Sequence, residues 1–174
     1  MSKSHENHSK IVIRSCTKKI VPIVWAIIVL VIMVLLPWVV AKIGSRFGWS
    51  QTSPAWWNLI GLIGVVIGLG MYAWCLVFHF RSYRTSVRVG FTPPHLVVAG
   101  PYKISRNPMY VSGLFAWLGW VVFYGSPAVL VAFVLLWIAF TYRVIPHEER
   151  QLETLFGDAY LAYKQSVRRW IGRY

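Results

Sequence analysis

Residues 20–41 read IVPIVWAIIVLVIMVLLPWVVA, a run of 22 residues without a charged side chain. In a helix these residues would rise about 33 Å, and the hydrocarbon core of a bilayer is about 30 Å thick. The run therefore predicts a transmembrane helix, with Pro22 in its first turn and a kink at Pro37 near its far end. It is too long for the apolar part of a signal peptide, so we expect it to remain as a membrane anchor.

Three further stretches have the composition of membrane helices. They cover about residues 55–78, 109–124 and 127–145. The first contains glycines at three- and four-residue spacings, which would let another helix approach closely. The other two are separated by Gly125-Ser126-Pro127, a turn signal. They predict a tight helical hairpin whose first arm is short for a full span.

The composition of the whole chain agrees with a membrane location. Hydrophobic residues make up 57% of the chain and charged residues 13%, roughly half of the ~25% usual in soluble domains. The expected fold is all-α: a polytopic membrane protein of about four transmembrane helices. Residues 20–174 would form a single membrane domain behind a basic tail of residues 1–19.

The formal net charge of +13 would indicate nucleic acid as a partner in a soluble protein. Here the basic residues lie between the apolar stretches and at the tails, where anionic lipid explains them better. We therefore expect membrane lipid and not nucleic acid as a partner. Two cysteines support no disulfide framework, and the five histidines have no metal-ligand spacing, so no metal site is predicted.

The distribution of Lys and Arg predicts the orientation of the chain. Five lie in residues 1–19, five in 79–108 and six from Arg143 onward, whereas only Lys42 and Arg46 lie in the loops that would face outward. Sixteen against two is a strong positive-inside bias. Both termini should be cytoplasmic, as an even number of spans also requires.

The carboxyl-terminal tail has the pattern of an amphipathic helix. Apolar and aromatic residues recur there at three- and four-residue steps. Gly157-Asp158 could divide this helix in two, with Asp158 capping the second piece. The recurring residues are Leu152, Leu155, Phe156, Tyr160, Tyr163 and Val167.

Two polar clusters bracket the predicted hairpin. One is the loop from Gly100 to Tyr110, in a polar segment (79–108) without obvious secondary structure, a kind of segment that is often functional. The other is Glu148-Glu149, which follows the last apolar helix and could simply pair in water with neighbouring arginines. Because a turn at 125–127 folds the two arms together, both clusters should return to the same mouth of the hairpin. That convergence favours a shared pocket.

These clusters carry a family resemblance. The stretch HLVVAGPYKISRNPMY (95–110), the apolar hairpin, and EERQLETLFGDAYLAYKQSVRRW (148–170) together resemble the isoprenylcysteine carboxyl methyltransferases and the related phospholipid methyltransferases. The family pattern is G-P-Y, then R-[HN]-P-x-Y, a hairpin, E-E-x-x-L and F-G-x-x-Y. The resemblance covers about residues 95–170, the expected catalytic region, whereas the first two spans match only in being apolar.

The resemblance implies a membrane methyltransferase that uses S-adenosylmethionine, with the cofactor pocket at the cytoplasmic ends of the hairpin helices. Arg106 and Glu149 are the implied catalytic residues. The implied cofactor-binding residues are Tyr102, Arg106, Asn107, Pro108, Tyr110, Glu148 and Glu149.

The methyl acceptor is left open at this stage. The resemblance implies a lipophilic substrate such as a prenylated cysteine carboxylate, but prenylcysteine enzymes usually have His where this chain has Asn107. Many bacterial relatives have Asn at this position too, so the change bears on the substrate and not on cofactor binding. The expected location is a prokaryotic cell membrane. A phospholipid amine and a small thiol are the other possible acceptors. A non-enzymatic membrane scaffold and an NADPH-dependent sterol-type reductase are the other possible functions, although the Arg-Asp-Glu and Cys motif of the reductases is absent here.

Overall fold

The computed structural model of the chain describes residues 28–29, 31–50, 52–83 and 95–174. The predicted basic tail, the start of the first span with Pro22, and residues 84–94 lie outside the described residues. The elements, in order, are a π-helix (Val31–Leu35), α1 (Leu36–Val40), β1 (Trp49–Ser50), β2 (Ser53–Pro54), α2 (Trp56–Tyr83), a 3-10 turn (Gly100–Lys103), α3 (Pro108–Tyr124), α4 (Pro127–Ala139), a second π-helix (Phe140–Val144), α5 (Ile145–Phe156) and α6 (Asp158–Ser166).

The all-α prediction holds for these residues apart from a short hairpin of antiparallel strands, in which Trp49 lies opposite Pro54. Two helices are long and apolar enough to cross a membrane, Trp56–His79 and the continuous helix Pro127–Phe156. The apolar helices Val31–Val40 and Pro108–Tyr124 are shorter. The 17 residues of α3 rise about 25 Å, less than the ~30 Å of the hydrocarbon core. The membrane character is therefore supported by two helices, and the count of four spans stays a prediction.

Helices α2 and α3 pack along each other at backbone distance, as the glycine spacing predicted. A Cβ atom added to Gly61 would lie 2.4 Å from the backbone nitrogen of Phe123, and one added to Gly119 would lie 2.5 Å from that of Val65. Small residues are therefore required on both faces of this contact. The contact brings the carboxyl end of α2 next to the start of α3, where the polar loop lies.

The turn between the hairpin arms forms at the predicted residues. Gly125 ends α3 with a φ of +55°, a backbone conformation that glycine adopts without strain. The carbonyl of Gly125 accepts a hydrogen bond from the backbone nitrogen of Phe47 (2.9 Å), and the buried Asn58 side chain donates from Nδ2 to the carbonyls of Phe47 and Val122. These bonds fix the turn end of the hairpin, so its other end is positioned as well.

Two helices continue beyond their predicted membrane spans. The last apolar helix does not end at residue 145 but continues through the π-helix Phe140–Val144 and α5 to Phe156. Pro146 has no N–H for the regular helical bond, and the wide π turn directly before it keeps the helix continuous. Similarly, α2 continues to Tyr83 because polar residues can extend a helix after its apolar run has ended, while its membrane-capable part, Trp56–His79, agrees with the predicted span of about 55–78.

The division of the tail at Gly157 is confirmed, but the predicted cap is wrong. Helix α5 ends at Gly157, which has a φ of +50°. The N-cap position of α6 is Gly157 itself, and no side chain caps this helix. Asp158 is instead the first residue of α6, where its charge is favourable next to the helix N-terminus.

Candidate active site at the mouth of the helical hairpin

The carboxylate of Glu149 is the centre of a buried charge cluster. Glu149 lies in the second turn of α5 and is 4% exposed. Arg169 donates to it twice, from Nη2 to Oε2 (2.7 Å) and from Nε to Oε1 (3.3 Å). Arg106 places its Nη2 3.4 Å from Oε1, and its side chain is 6% exposed. The structure thus brings together the predicted pair Arg106 and Glu149 and adds a second arginine.

Arg169 was missed by the sequence reasoning. It lies after α6 in the carboxyl-terminal strap, which we define as residues 167–174. The strap is held on the loop before α3: Arg106 N donates to the carbonyl of Arg168 (3.0 Å), and Gly172 N donates to the carbonyl of Ile104 (2.8 Å). The sequence signal was the pair of arginines at 168 and 169, but only the fold shows which of them turns inward.

Asn107 and Ser105 fasten the same strap. The Asn107 side chain donates from Nδ2 to the carbonyl of Arg169 (3.2 Å), and the Ser105 hydroxyl donates to the same carbonyl (3.1 Å). The Asn107 backbone nitrogen in turn donates to Ser105 Oγ (3.0 Å). Asn107, predicted as a cofactor-binding residue, therefore lies where it positions the backbone of Arg169.

Glu148 has a separate partner. The Tyr110 hydroxyl donates to Glu148 Oε1 (2.7 Å), and the Tyr110 ring packs on Phe140 with centroids 4.7 Å apart. Pro108 opens α3 within its first two positions, where its missing N–H costs nothing. Two adjacent carboxylates of α5 thus contact two residues, Arg106 and Tyr110, from the loop and first turn of α3.

Tyr102 lies between α2 and the tail. Its ring meets the ring of His79 edge-on with centroids 5.3 Å apart, and its carbonyl accepts a hydrogen bond from the Tyr163 hydroxyl (2.7 Å). It also packs against the buried cluster of Tyr160, Tyr163 and Val167. The predicted residues Tyr102, Arg106, Asn107, Pro108, Tyr110, Glu148 and Glu149 therefore all lie at the mouth of the hairpin.

The charges around Glu149 do not cancel. Two guanidinium groups face the carboxylate of Glu149, and among the described residues Arg106 Nε and Nη1 are buried and have no hydrogen-bond partner. Hydrogen bonding to Glu149 raises the pKa of Arg169. Burial, reinforced by the charge of Glu149 and opposed by that of Arg106, raises the pKa of Tyr160 to about 12. Arg169, whose side chain is 33% exposed, thus stays charged and Tyr160 stays protonated at neutral pH, so two guanidinium groups face the single carboxylate of Glu149.

An open groove lies beside this cluster. It has a volume of about 500 Å³ and is lined by Arg106, Leu161, Lys164, Gln165 and Tyr174. Among the residues that the structure describes, no group of three or more His, Cys, Asp or Glu side chains could hold a metal ion.

Comparison with known proteins places these elements in a family. The chain is 34% identical over 115 residues to protein-S-isoprenylcysteine O-methyltransferase A of Arabidopsis thaliana, covering 64% of this chain and 58% of that protein. It is 35% identical over 115 residues to protein-S-isoprenylcysteine O-methyltransferase of Xenopus laevis, covering 64% and 39%. It is also 34% identical over 119 residues to methanethiol S-methyltransferase 1 of Bradyrhizobium diazoefficiens, covering 59% and 39%.

The chain thus spans 58% or less of the length of these curated relatives. No solved structure matches it significantly. The sequence profile of the phospholipid methyltransferase family matches residues 56–159, well over half of the chain. This range includes the loop before α3, the hairpin, and both carboxylates of α5. The chain therefore belongs to the phospholipid methyltransferase family, and the predicted resemblance to the isoprenylcysteine O-methyltransferases is confirmed.

Proposed function

We propose that this protein transfers a methyl group from S-adenosylmethionine to a lipophilic acceptor that carries a carboxylate, as a prenylated cysteine does. The observation that carries the proposal is the surplus positive charge formed by Arg106 and Arg169 around Glu149. Such a cluster would attract a carboxylate and hold it through charge-assisted hydrogen bonds. The family membership and the names of the relatives supply the reaction class.

The residues at the mouth fit the methyl donor. A buried N–H group without a partner costs about 1–3 kcal/mol, and more when it is charged, so the two unpartnered nitrogens of Arg106 match a ligand carboxylate. Glu148 and Glu149 offer acceptor oxygens for hydroxyl and ammonium groups. The donor would be held by Tyr102, Arg106, Asn107, Pro108, Tyr110, Glu148 and Glu149.

The protein's contribution to this reaction is to position the methyl donor and the acceptor. S-adenosylmethionine supplies a methyl group on a positively charged sulfur, which a nucleophile takes by in-line displacement. Correct alignment of two reactants contributes up to several kcal/mol to such a reaction, and excluding water from a charged nucleophile contributes further. A carboxylate acceptor is already ionised at neutral pH, so it needs no general base. Arg169 would orient it while Arg106 holds the carboxylate of the donor, and Tyr110 would keep Glu148 in place.

A thiol acceptor is the second candidate, and the relative named methanethiol S-methyltransferase supports it. The family description also keeps a phospholipid amine open. A thiol or a protonated amine must lose a proton before it can attack a methyl group, whereas a carboxylate need not. The rate for a carboxylate acceptor should therefore be nearly constant between pH 6 and 9, while the rate for the other two should rise with pH.

The decisive experiment uses the purified protein in detergent or lipid nanodiscs. Labelled S-adenosylmethionine is supplied with a lipid extract, with a prenylcysteine analogue, or with a small thiol, and the labelled product is identified. We expect a base-labile methyl ester of the carboxylate, and S-adenosylhomocysteine should inhibit its formation. If calorimetry detects no heat of binding at millimolar S-adenosylmethionine, the proposal is contradicted. Binding of NADPH in the same assay would support a reductase instead.

A further inference from the structure

The carboxyl-terminal strap and its surroundings form an exposed apolar surface on the loop side of the molecule. Ile171 is 62% exposed and Tyr174 78% exposed, and Ile104 and Leu161 are also exposed. These residues are contiguous: Gly172, next to Ile171, is bonded to Ile104, and Tyr174 and Leu161 line one groove. Exposed apolar side chains in such a group mark a contact surface.

The same surface carries positive charge. Arg168 and Arg173 are exposed, and Lys164 lines the groove. The Arg168 guanidinium lies 5.2 Å from the centre of the Tyr174 ring, and Arg173 pairs through its backbone with Val167. Within the described part of the chain, neither Arg168 nor Arg173 forms an ion pair with a carboxylate; Lys164 does, with Glu153. We call the residues Ile104, Leu161, Lys164, Arg168, Ile171, Arg173 and Tyr174 the strap patch.

We propose that the strap patch binds the headgroup layer of anionic phospholipids. Apolar and aromatic side chains interspersed with arginine are the composition of interfacial membrane contacts, in which the former enter the headgroup boundary and the latter meet phosphates. The described part of the chain contains two membrane-capable helices, so we expect a lipid surface near the patch. The positive charge of the patch complements the net negative charge of an anionic lipid surface. A purely zwitterionic surface has no such net charge.

This contact would also reach the buried charge cluster. Arg169 lies between the patch residues Arg168 and Ile171, and its side chain points the other way, onto Glu149. A strap held against lipid therefore holds Arg169 on Glu149. The inference goes beyond the proposed function, because lipid binding by the patch does not depend on any methyl transfer.

Hydrogen exchange of the strap amides tests the proposal without an activity assay. The full chain is placed in nanodiscs of phosphatidylcholine alone or of an equal mixture of phosphatidylcholine and phosphatidylglycerol. Each cation at an anionic surface strengthens attachment by roughly fivefold, so exchange of the hydrogen-bonded amides of Arg168 and Gly172 should be about tenfold or more slower in the mixture. At about 1 M salt, where the Debye length falls to about 3 Å, the difference should largely vanish.

A charge-matched pair of variants identifies the residues responsible. R168Q/R173Q should lose the lipid dependence, whereas R143Q/R150Q, which removes two exposed cations outside the patch, should keep it. Equal exchange in both lipids, a difference that survives high salt, or one that survives in R168Q/R173Q would overturn the proposal. So would protection that depends on protein concentration and not on lipid, since it would assign the patch to a second protein copy. If R168Q/R173Q fails to fold, the salt comparison on the unaltered chain still decides.

Discussion

Glu149 lies between two guanidinium groups in a place that water hardly reaches. Removing one partner from a buried ion pair typically costs about 3–5 kcal/mol, because the remaining charge stays buried. Arg106 and Glu149 are buried, whereas Arg169 is 33% exposed, so it is the charge of Arg106 that is expensive to maintain for stability alone. The surplus is easier to understand if a ligand carboxylate completes the cluster.

Substitutions at Arg106 and Glu149 should separate an enzyme from a scaffold. Arg106→Ala and Glu149→Gln each remove a charged hydrogen-bonding group worth about 1.5–3 kcal/mol, so affinity for S-adenosylmethionine or turnover should fall about ten- to a hundred-fold. Calorimetry and a methyl-transfer assay measure this, and size-exclusion chromatography checks that each variant remains monodisperse.

Two charge changes on α5 serve as controls. Arg150 is exposed, and Glu153 pairs with Lys164 in a partly exposed ion pair, of a kind that contributes about 1 kcal/mol or less. Arg150→Ala and Glu153→Gln should therefore change affinity less than threefold. If the substitutions at Arg106 and Glu149 change affinity and turnover as little as these two controls do, the scaffold function is favoured.

Arg169 offers a test that retains charge. Arg169→Lys keeps the cation but cannot form both bonds to Glu149, because only the guanidinium has the two-pronged geometry. We expect this variant to bind the methyl donor several-fold more weakly and to unfold at a lower temperature. Arg168→Lys, the same change at the exposed neighbouring residue, should alter neither by much. If the Arg169→Lys variant keeps the affinity for the methyl donor and the unfolding temperature of the unaltered protein, the bidentate contact is dispensable.

The raised pKa of Tyr160 predicts that the folded protein loses stability at alkaline pH. Its pKa is raised from 10.0 to about 12 by burial, with Glu149 contributing and Arg106 opposing. A raised pKa in the folded state means that the stabilisation by the neutral hydroxyl is complete below pH 10 and is lost as the pH rises toward 12. Tyr160→Phe cannot titrate, so its stability should fall less across this range in thermal unfolding. Tyr142→Phe, a change at an exposed tyrosine, should behave like the unaltered protein.

At the scale of elements, the contact between α2 and α3 organises the site, because it joins the helix that carries His79 to the helix that begins at Pro108. The backbones of α2 and α3 approach so closely that a methyl group added to Gly68 would lie 2.5 Å from the backbone nitrogen of Ala116. The second organising feature is the π-helix before α5, which lets the apolar helix continue past Pro146 and carry both carboxylates.

A pair of glycine substitutions tests the helix contact. Gly119→Ala would place a methyl 2.5 Å from the backbone of Val65, and such overpacking costs about 1–3 kcal/mol. Gly70→Ala lies in the same helix pair, but nothing is within 4 Å of its added methyl. That change should be neutral or stabilise the helix by up to about 1 kcal/mol. Denaturant unfolding in detergent measures the free energy of unfolding of both variants. If Gly119→Ala and Gly70→Ala change it by similar amounts, the proposed role of close packing is contradicted.

At the scale of the whole molecule, the charge distribution predicts the topology. Sixteen of the 18 Lys and Arg residues lie in the tails and the 79–108 segment, and two lie in the 42–54 loop. By the positive-inside rule, the candidate active site and the strap patch should face the cytoplasm, while residues 42–54 and 125–127 face outward. Reporter fusions at residue 174 and within the 42–54 loop measure this. A carboxyl-terminal reporter accessible only from the outside would contradict the assignment.

Much of the fold and of the candidate site follows from the sequence. Apolar runs and their lengths predicted the helices, Gly125-Ser126-Pro127 predicted the turn, and the spacing of Gly61, Gly64 and Gly68 predicted a close helix contact. The ordered motifs around Arg106 and Glu149 predicted the family. These features are local, or repeat with the period of a helix, and such patterns can be read without knowing what lies nearby in space.

Only the tertiary structure decided which side chains meet. Glu149 turns toward Arg106 while its neighbour Glu148 turns toward Tyr110, because successive helix residues point about 100° apart and the packing of α5 on the loop chooses the direction. Arg169 reaches Glu149, 20 residues earlier, only because the strap folds back onto residues 104–107. Backbone hydrogen bonds hold the strap there, and because every residue can form them, their partners leave no pattern in the sequence.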